Sequence, residues 1–149
     1  MDKSASESRP RVLLVNRSAV LDSKGNVLLV QRAAGDRHNA NLWEFPGGKL
    51  DEGQDVTQAL EREVLEETGL LVMPVNRVAY FESRILTSYK YQGMPYIVLV
   101  GISKILGGKK VVLSEEHQNF AWVKPKEALT YDLTSETRKA ILALENNLE

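Results

Sequence analysis

Segment 47–70 constrains the fold of this 149-residue chain more than any other part, because it joins a glycine pair to an acidic amphipathic stretch. Asp55 is a favoured N-cap residue, and Gln58 stands where a capping box places its second partner. Gly69 is the residue type that tolerates a left-handed C-terminal cap. The pattern therefore predicts a helix from near Asp55 to near Thr68, entered from a loop that permits close backbone approach.

Three glutamates crowd one side of this predicted helix. At about 100° per residue, Glu63, Glu66 and Glu67 fall within one arc of about 100°. Carboxylates at this spacing repel one another. Arg62 is placed to pair with Glu66, four residues later, but a single guanidinium cannot neutralise three acids. The cluster therefore indicates a positively charged partner from outside the helix.

Glu67 is unusual for a second reason, since it continues an apolar row. Val56, Leu60 and Val64 recur every four residues and are predicted to pack against a sheet. A carboxylate on the next turn of a buried row is costly unless it is paired or binds a metal. Oxygen ligands, in a chain with no cysteine and two histidines, favour Mg²⁺ or Mn²⁺. The alternative, a solvated acidic face, is disfavoured by the adjacent glycine loop, whose carbonyls could complete an oxygen cage.

The composition narrows the class of protein. The chain is 43% hydrophobic and 26% charged, with a formal net charge of −1, which argues against binding to a nucleic acid polymer. No apolar run reaches the roughly 18–20 residues needed to span a bilayer. The absence of cysteine excludes disulfides and fits a reducing compartment. We therefore expect a cytoplasmic protein, monomeric or homodimeric, that binds neither membranes nor nucleic acid polymers.

The rest of the chain mixes strand-like and helical patterns. Residues 1–10 are predicted to be a disordered tail and residues 11–149 a single domain. A turn at 22–25 between two apolar runs predicts a hairpin, and 33–49 has the composition of a loop. Strands are predicted at 12–15, 20–21, 27–30, 75–84, 96–105 and 119–123, a turn at 107–108, a helical turn at 126–129 and a terminal helix from about 135. These elements indicate an α/β or α+β domain.

Segment 48–70 carries a family resemblance. Gly48, Gln54 and the run REVLEETGL at 62–70 resemble the Nudix box, G-x5-E-x7-R-E-U-x-E-E-x-G-U, in which U is apolar. The segments QRAA at 31–34 and LWEFPGGK at 42–49 are similar to the MutT-like branch of the Nudix family. The resemblance implies an α+β fold, an α-β-α sandwich with a mixed central β-sheet. It also implies Mg²⁺-dependent hydrolysis of a nucleoside diphosphate linked to another group.

The same resemblance implies which residues form the site. Glu63, Glu66 and Glu67 match metal-binding and catalytic positions of the box, and the backbone of Gly48 matches its loop ligand. Many Nudix enzymes place a further acid in a loop before a late strand, where it assists the metal or acts as a base. Glu116 is the candidate for that catalytic acid.

Further candidates lie outside the box. Arg32 resembles an arginine that contacts phosphate in MutT-type enzymes, and Lys49 follows the glycine pair within reach of phosphate. Glu44 is placed to support the substrate site by hydrogen bonding. Glu115 is the second candidate for the loop acid, and His117 is interpreted as structural.

The best-supported function is a MutT-like (d)NTP pyrophosphohydrolase that releases a nucleoside monophosphate and pyrophosphate. An ADP-sugar or dinucleoside polyphosphate hydrolase is the alternative among enzymes. A non-catalytic nucleotide-sensing module is supported only by Gln54, which stands where the box has glutamate. We expect Gln54 to keep a hydrogen-bond acceptor for Arg62 without the charge, which weakens a structural contact and leaves the chemistry in place.

Overall fold

The computed structural model describes residues 11–107 and 110–147, so the predicted tail at 1–10 and half of the turn at 107–108 lie outside the described residues. None of the helices in this part of the chain is long and apolar enough to cross a membrane. The described elements are, in order, β1 (Leu13–Leu21), β2 (Val27–Arg32), β3 (Trp43–Glu44), β4 (Gly47–Lys49), α1 (Val56–Thr68), β5 (Leu71–Ile85), a 3₁₀ turn (Tyr89–Tyr91), β6 (Pro95–Gly107), β7 (His117–Val123), α2 (Pro125–Ala128) and α3 (Ser135–Asn147).

The strands form one mixed sheet. β1 lies near its centre and runs parallel to β6 along its whole length, from Leu13 to Leu21. The other pairings are antiparallel, in the order β3-β2-β1-β6-β5, with β4 also beside β1 and β7 also beside β2. The pairing of β2 with β7 brings Arg32, at the end of β2, next to His117, at the start of β7.

Helices cover both faces of this sheet. Leu29 of β2 packs in a core with Ile141 of α3, whereas its neighbour Leu28 packs in a second core with Val64 of α1. Successive residues of a strand point to opposite faces, so these two cores lie on opposite sides of the sheet. The predicted α+β class and the α-β-α sandwich are therefore confirmed.

The structure corrects the boundaries of several predicted strands. The two apolar runs of the first hairpin arm form one continuous strand, and β5 and β6 reach 15 and 13 residues. The prediction of a loop over 33–49 is wrong at two places, because β3 pairs with β2 and β4 pairs with β1. These pairings hold the glycine pair of β4 against the centre of the sheet.

Candidate active site

Helix α1 begins and ends where its sequence predicts. Asp55 Oδ1 accepts hydrogen bonds from the N–H groups of Thr57 (2.9 Å) and Gln58 (3.1 Å). Gly69 has a φ of 75°, and its N–H donates to the carbonyl of Leu65. The expected return bond from the Gln58 side chain to Asp55 is absent from the hydrogen bonds of the described residues, so Asp55 caps the helix alone.

The predicted buried row of α1 starts one turn later than expected. Val56, the first helical residue, is 37% exposed, whereas Leu60 and Val64 are buried in the core. Glu67 continues this row and is only 3% exposed. The prediction that a carboxylate occupies a core position on the last turns of α1 is confirmed.

Glu67 lacks a full set of hydrogen-bond partners. Its Oε1 accepts a long hydrogen bond of 3.4 Å from the N–H of Gly47 and lies 3.7 Å from His117 Nδ1. Its Oε2 has no hydrogen-bond partner among the described residues. Burial raises the pKa of Glu67 well above its usual range, although the charge of Arg17 opposes this. A buried carboxylate with an unpartnered oxygen is an arrangement that a cation would stabilise.

Glu63 lies against the glycine pair, one turn before Glu67. A Cβ built on Gly48 would lie 2.9 Å from Glu63 Oε2, so only glycine lets this carboxylate approach the backbone of β4 so closely. At Gly47 a glycine is required by the strand pairing, because a Cβ there would overlap the carbonyl oxygen of Asn16 in β1. The two glycines therefore have different roles, one toward a predicted ligand and one in strand pairing.

Replacing Gly48 by Ala is expected to weaken binding of Mn²⁺ on the order of tenfold, as disturbing a ligand's surroundings commonly does. The new Cβ displaces the Glu63 carboxylate, and the fold is kept because only the end of a flexible side chain has to move. Calorimetric titration with Mn²⁺ measures the effect. The control is Gly35→Ala, since a Cβ at Gly35 meets nothing within 4 Å. Equal Mn²⁺ affinity in wild type and Gly48→Ala would contradict the prediction.

Glu66 and Arg62 form the predicted ion pair at the helix surface. Their charged atoms are 3.1 Å apart, and the Glu66 side chain is 56% exposed. Arg62 also lies 3.3 Å from Glu63, so one guanidinium links two of the three glutamates. The prediction that Gln54 accepts a hydrogen bond from Arg62 is wrong. Gln54 Oε1 instead accepts a 2.8 Å hydrogen bond from the N–H of Asp51. Arg62 is paired without residue 54, so a glutamate there is not needed for its contacts.

The loop before β7 brings Glu116 to the end of α1. The carbonyl of Glu116 accepts a 3.0 Å hydrogen bond from the N–H of Ala33, which ties the loop to β2. Carboxylate oxygens of Glu67 and Glu116 and a ring nitrogen of His117 all lie within 4.8 Å of one another. Glu116 is exposed and accessible to a ligand. Glu115, the second candidate, is also exposed and does not belong to this group.

Glu44 is a buried carboxylate surrounded by basic groups. It is 2% exposed, and its Oε2 lies 2.9 Å from both Arg32 Nη1 and His117 Nε2. Its Oε1 lies 3.4 Å from Arg17 Nη1. Burial disfavours ionisation of Glu44, but the hydrogen bond with His117 and the charges of Arg17 and Arg32 outweigh it and hold the pKa of Glu44 below its usual value. Glu44 therefore holds the side chains of Arg17, Arg32 and His117 in place beside the cleft.

The predicted substrate residues Arg32 and Lys49 line an open cleft of about 600 Å³. Arg32 is 25% exposed and is held by Glu44 and Asp36. Lys49 is exposed at the end of β4. The described residues around the cleft are Val15, Arg17, Arg32, His38, Asn39, Gly47, Gly48, Lys49, Asp51, Glu63, Tyr96, Glu116 and Glu136.

Arg17 and Glu136 line the cleft although neither was predicted as a site residue. Arg17 Nε lies 3.7 Å from Glu136 Oε2, and Glu136 Oε1 accepts a 3.0 Å hydrogen bond from the Tyr96 hydroxyl. Burial and the Glu136 carboxylate raise the pKa of Tyr96 to about 12, so the hydroxyl stays a donor. One signal was available in the sequence, since the polar residues Asn16, Arg17 and Ser18 interrupt the apolar run of β1.

The donor atoms at Glu67 fit a divalent cation. Glu67 Oε2 is buried and unpartnered among the described residues, and the accessible carboxylate of Glu116 lies beside it. Carboxylate oxygens are the ligands that hard divalent cations prefer. The residues present therefore match the metal requirement implied by the sequence.

Known proteins resemble this chain in sequence and in fold. The family model described as NUDIX domain matches residues 10–144. The nucleoside triphosphatase NudI of Escherichia coli is 28% identical over 126 residues, which cover 82% of this chain and 89% of that protein. The crystal structure of a MutT protein from Methanosarcina mazei Go1 has a TM-score of 0.76 at 25% identity and covers 95% of this chain and 98% of its own. The structure of a C. elegans Ap4A hydrolase has a TM-score of 0.69 at 23% identity, covering 92% and 98%.

The sandwich fold, the acidic helix and these matches define a pyrophosphohydrolase that acts on nucleoside diphosphates linked to another group. Enzymes of this class generally need a divalent metal. The chain belongs to the NUDIX domain family, and its predicted MutT-like character is confirmed.

Proposed function

We propose that this enzyme is a MutT-like (d)NTP pyrophosphohydrolase that uses Mg²⁺ or Mn²⁺ and releases a nucleoside monophosphate and pyrophosphate. One observation carries the proposal: acidic Glu63 and Glu116 line the same cleft as cationic Arg17, Arg32 and Lys49. A triphosphate requires both kinds of side chain. Basic side chains bind its negative charge, and acidic side chains hold the metal. The similarity to a relative named nucleoside triphosphatase supports this substrate class.

The predicted ligands of the cation are Glu63, Glu66, Glu67 and the backbone of Gly48. When bound, the cation neutralises charge on the phosphates and lowers the pKa of an attacking water. Glu67 is the buried member of this set, and Glu66 is the most exposed and shares Arg62 with Glu63. Glu67 therefore provides a fixed anchor, while Glu66 has to leave Arg62 in order to bind.

The remaining side chains bind phosphate and move a proton. Arg32 presents a guanidinium already oriented by Glu44 and Asp36, which lowers the cost of ordering it against a phosphate. Lys49 supplies an exposed point charge on the same cleft. Glu116 is the accessible carboxylate beside Glu67, and we assign it as the general base that accepts a proton from the attacking water.

The test measures hydrolysis with Mg²⁺ across dNTPs, NTPs, ADP-ribose and dinucleoside polyphosphates, with products separated by anion exchange. We expect a dNTP or NTP to have the highest kcat/KM and to yield equal amounts of monophosphate and pyrophosphate. Preferred turnover of ADP-ribose or of a dinucleoside polyphosphate would contradict the proposal and support the alternative hydrolase. Tight nucleotide binding with no turnover of any compound would instead support a sensing module.

A further inference from the structure

His117 has one ring nitrogen fixed and the other free. Its side chain is 1% exposed, and Nε2 lies 2.9 Å from Glu44 Oε2. Glu44 is held as a carboxylate by Arg17 and Arg32, and a carboxylate only accepts hydrogen bonds, so Nε2 carries the hydrogen. In the neutral ring, Nδ1 therefore keeps its lone pair. Nδ1 is buried and has no hydrogen-bond partner among the described residues.

The free nitrogen faces the predicted metal ligands. His117 Nδ1 lies 3.7 Å from Glu67 Oε1, too far for a hydrogen bond. His117, Glu67 and Glu116 each offer one donor atom within 4.8 Å of the others. Ligands on opposite sides of one cation lie about 4.2 Å apart when each bond is about 2.1 Å. The 3.7 Å between His117 Nδ1 and Glu67 Oε1 is within this spacing, so both atoms are close enough to share one cation.

The contact with Glu44 matches the usual surroundings of a metal-bound histidine. Such a histidine almost always donates its second ring N–H to a carboxylate or carbonyl, which fixes the tautomer and makes the other nitrogen a better ligand. A purely structural histidine in so buried a place would be expected to satisfy both nitrogens. Here one nitrogen is satisfied and the other converges with two carboxylates, one of which also has an unpartnered oxygen.

We propose that His117 Nδ1 is a direct ligand of the divalent cation, together with Glu67. The site is then a mixed nitrogen and oxygen site, rather than one of oxygen ligands alone. Imidazole binds first-row transition metals better than Mg²⁺, and affinity rises from Mn²⁺ to Co²⁺. The enzyme therefore binds Co²⁺ and Mn²⁺ more tightly than Mg²⁺. This inference rests on the metal site of the proposed function and specifies its chemistry.

Pulsed EPR of Mn²⁺ bound to the wild-type protein tests the ligand directly. Protein grown with ¹⁴N-histidine is compared with protein grown with ¹⁵N-histidine in an otherwise ¹⁴N background. We expect nuclear modulation from a coordinated imidazole nitrogen that changes with the histidine isotope. This measurement needs no substitution, so it does not depend on a variant that folds. The chain contains two histidines, so His38→Gln is the matched control and should keep the signal.

The variant His117→Gln completes the test, because the glutamine amide can still donate to Glu44 while the ring nitrogen facing Glu67 is lost. We expect the nitrogen signal to disappear and Co²⁺ affinity, measured by calorimetry, to fall by about tenfold or more, while Mg²⁺ affinity changes much less. An isotope-independent signal in wild type would overturn the proposal, as would a signal that persists in His117→Gln. Equal losses of Co²⁺ and Mg²⁺ affinity would also overturn it.

Hydrolysis assays keep this inference distinct from the proposed function. The protein could release pyrophosphate from a nucleoside triphosphate with Mg²⁺ and yet show no histidine coordination to Mn²⁺. That result would overturn the proposal of an imidazole ligand and support the proposed hydrolase. Histidine coordination in a protein that turns over no nucleotide would support the ligand and overturn the hydrolase.

Discussion

Replacing Glu67 by Gln is expected to lower kcat for nucleoside triphosphate hydrolysis by roughly 10²–10³-fold. A catalytic metal contributes several kcal/mol to the transition state, and each 1.36 kcal/mol is about tenfold in rate. Glutamine keeps the size of Glu67 and its hydrogen bond from the N–H of Gly47, but it removes the charge that would anchor the cation. Steady-state assays over a range of Mg²⁺ concentrations measure the loss.

The same substitution is expected to raise the melting temperature of the metal-free protein. The pKa of Glu67 is higher in the folded protein than its ordinary value of 4.5, so its ionised carboxylate opposes folding. The loss of stability caused by ionised Glu67 is absent below about pH 4.5 and grows as the pH rises toward the folded-state pKa. The advantage of Glu67→Gln should therefore increase over this range. Excess Mn²⁺ should reverse the order, because the wild type binds Mn²⁺ more tightly and therefore gains more stability from it.

The control for both effects is Glu61→Gln, an exposed acid of the same helix that does not line the cleft. It should leave kcat and the response to Mn²⁺ unchanged. Wild-type activity in Glu67→Gln would remove Glu67 from the site. A metal-free variant less stable than the wild type at neutral pH would show that burial does not disfavour its carboxylate.

Local signals explain which parts of the structure could be predicted from the sequence. Helix α1 follows from its caps, because Asp55 and Gly69 act on backbone groups only a few residues away. Its buried carboxylate follows from periodicity, since Glu67 repeats the spacing of Leu60 and Val64. The family resemblance added the activity and the identity of the candidate ligands. No local signal could give the short strands β3 and β4, which exist only because β1 and β2 lie beside them.

The electrostatic centre of the site depends on contacts between distant parts of the chain. Glu44 and His117 are 73 residues apart in sequence, and Arg17 donates to the carbonyl of Phe45, 28 residues away. Such pairs depend on the strand order and register, which periodicity does not determine. Glu44 was accordingly predicted as a support for substrate, whereas the structure shows that it also links Arg17, Arg32 and His117.

Replacing Glu44 by Gln is expected to destabilise the protein by on the order of 3 kcal/mol. Removing one partner of a buried ion pair costs about 3–5 kcal/mol, because the opposite charge is left uncompensated. We expect the lower end of this energy range, because Arg32 still pairs with Asp36 and Arg17 still donates to the carbonyl of Phe45. For a chain of this size the melting temperature should fall by roughly 6–12 °C. Urea titration measures the free energy of unfolding, with the exposed acid Glu115→Gln as the control.

A pH series separates this structural role of Glu44 from a direct contact with substrate. Its pKa is lower in the folded protein than the ordinary 4.5, so its ion pairs contribute fully above that pH and are lost as the pH falls through the folded-state pKa. The stability difference between wild type and Glu44→Gln should therefore be constant near neutral pH and shrink below about pH 4.5. Glu115→Gln should show no such difference. Unchanged stability of Glu44→Gln with a raised KM would instead assign Glu44 to substrate binding alone.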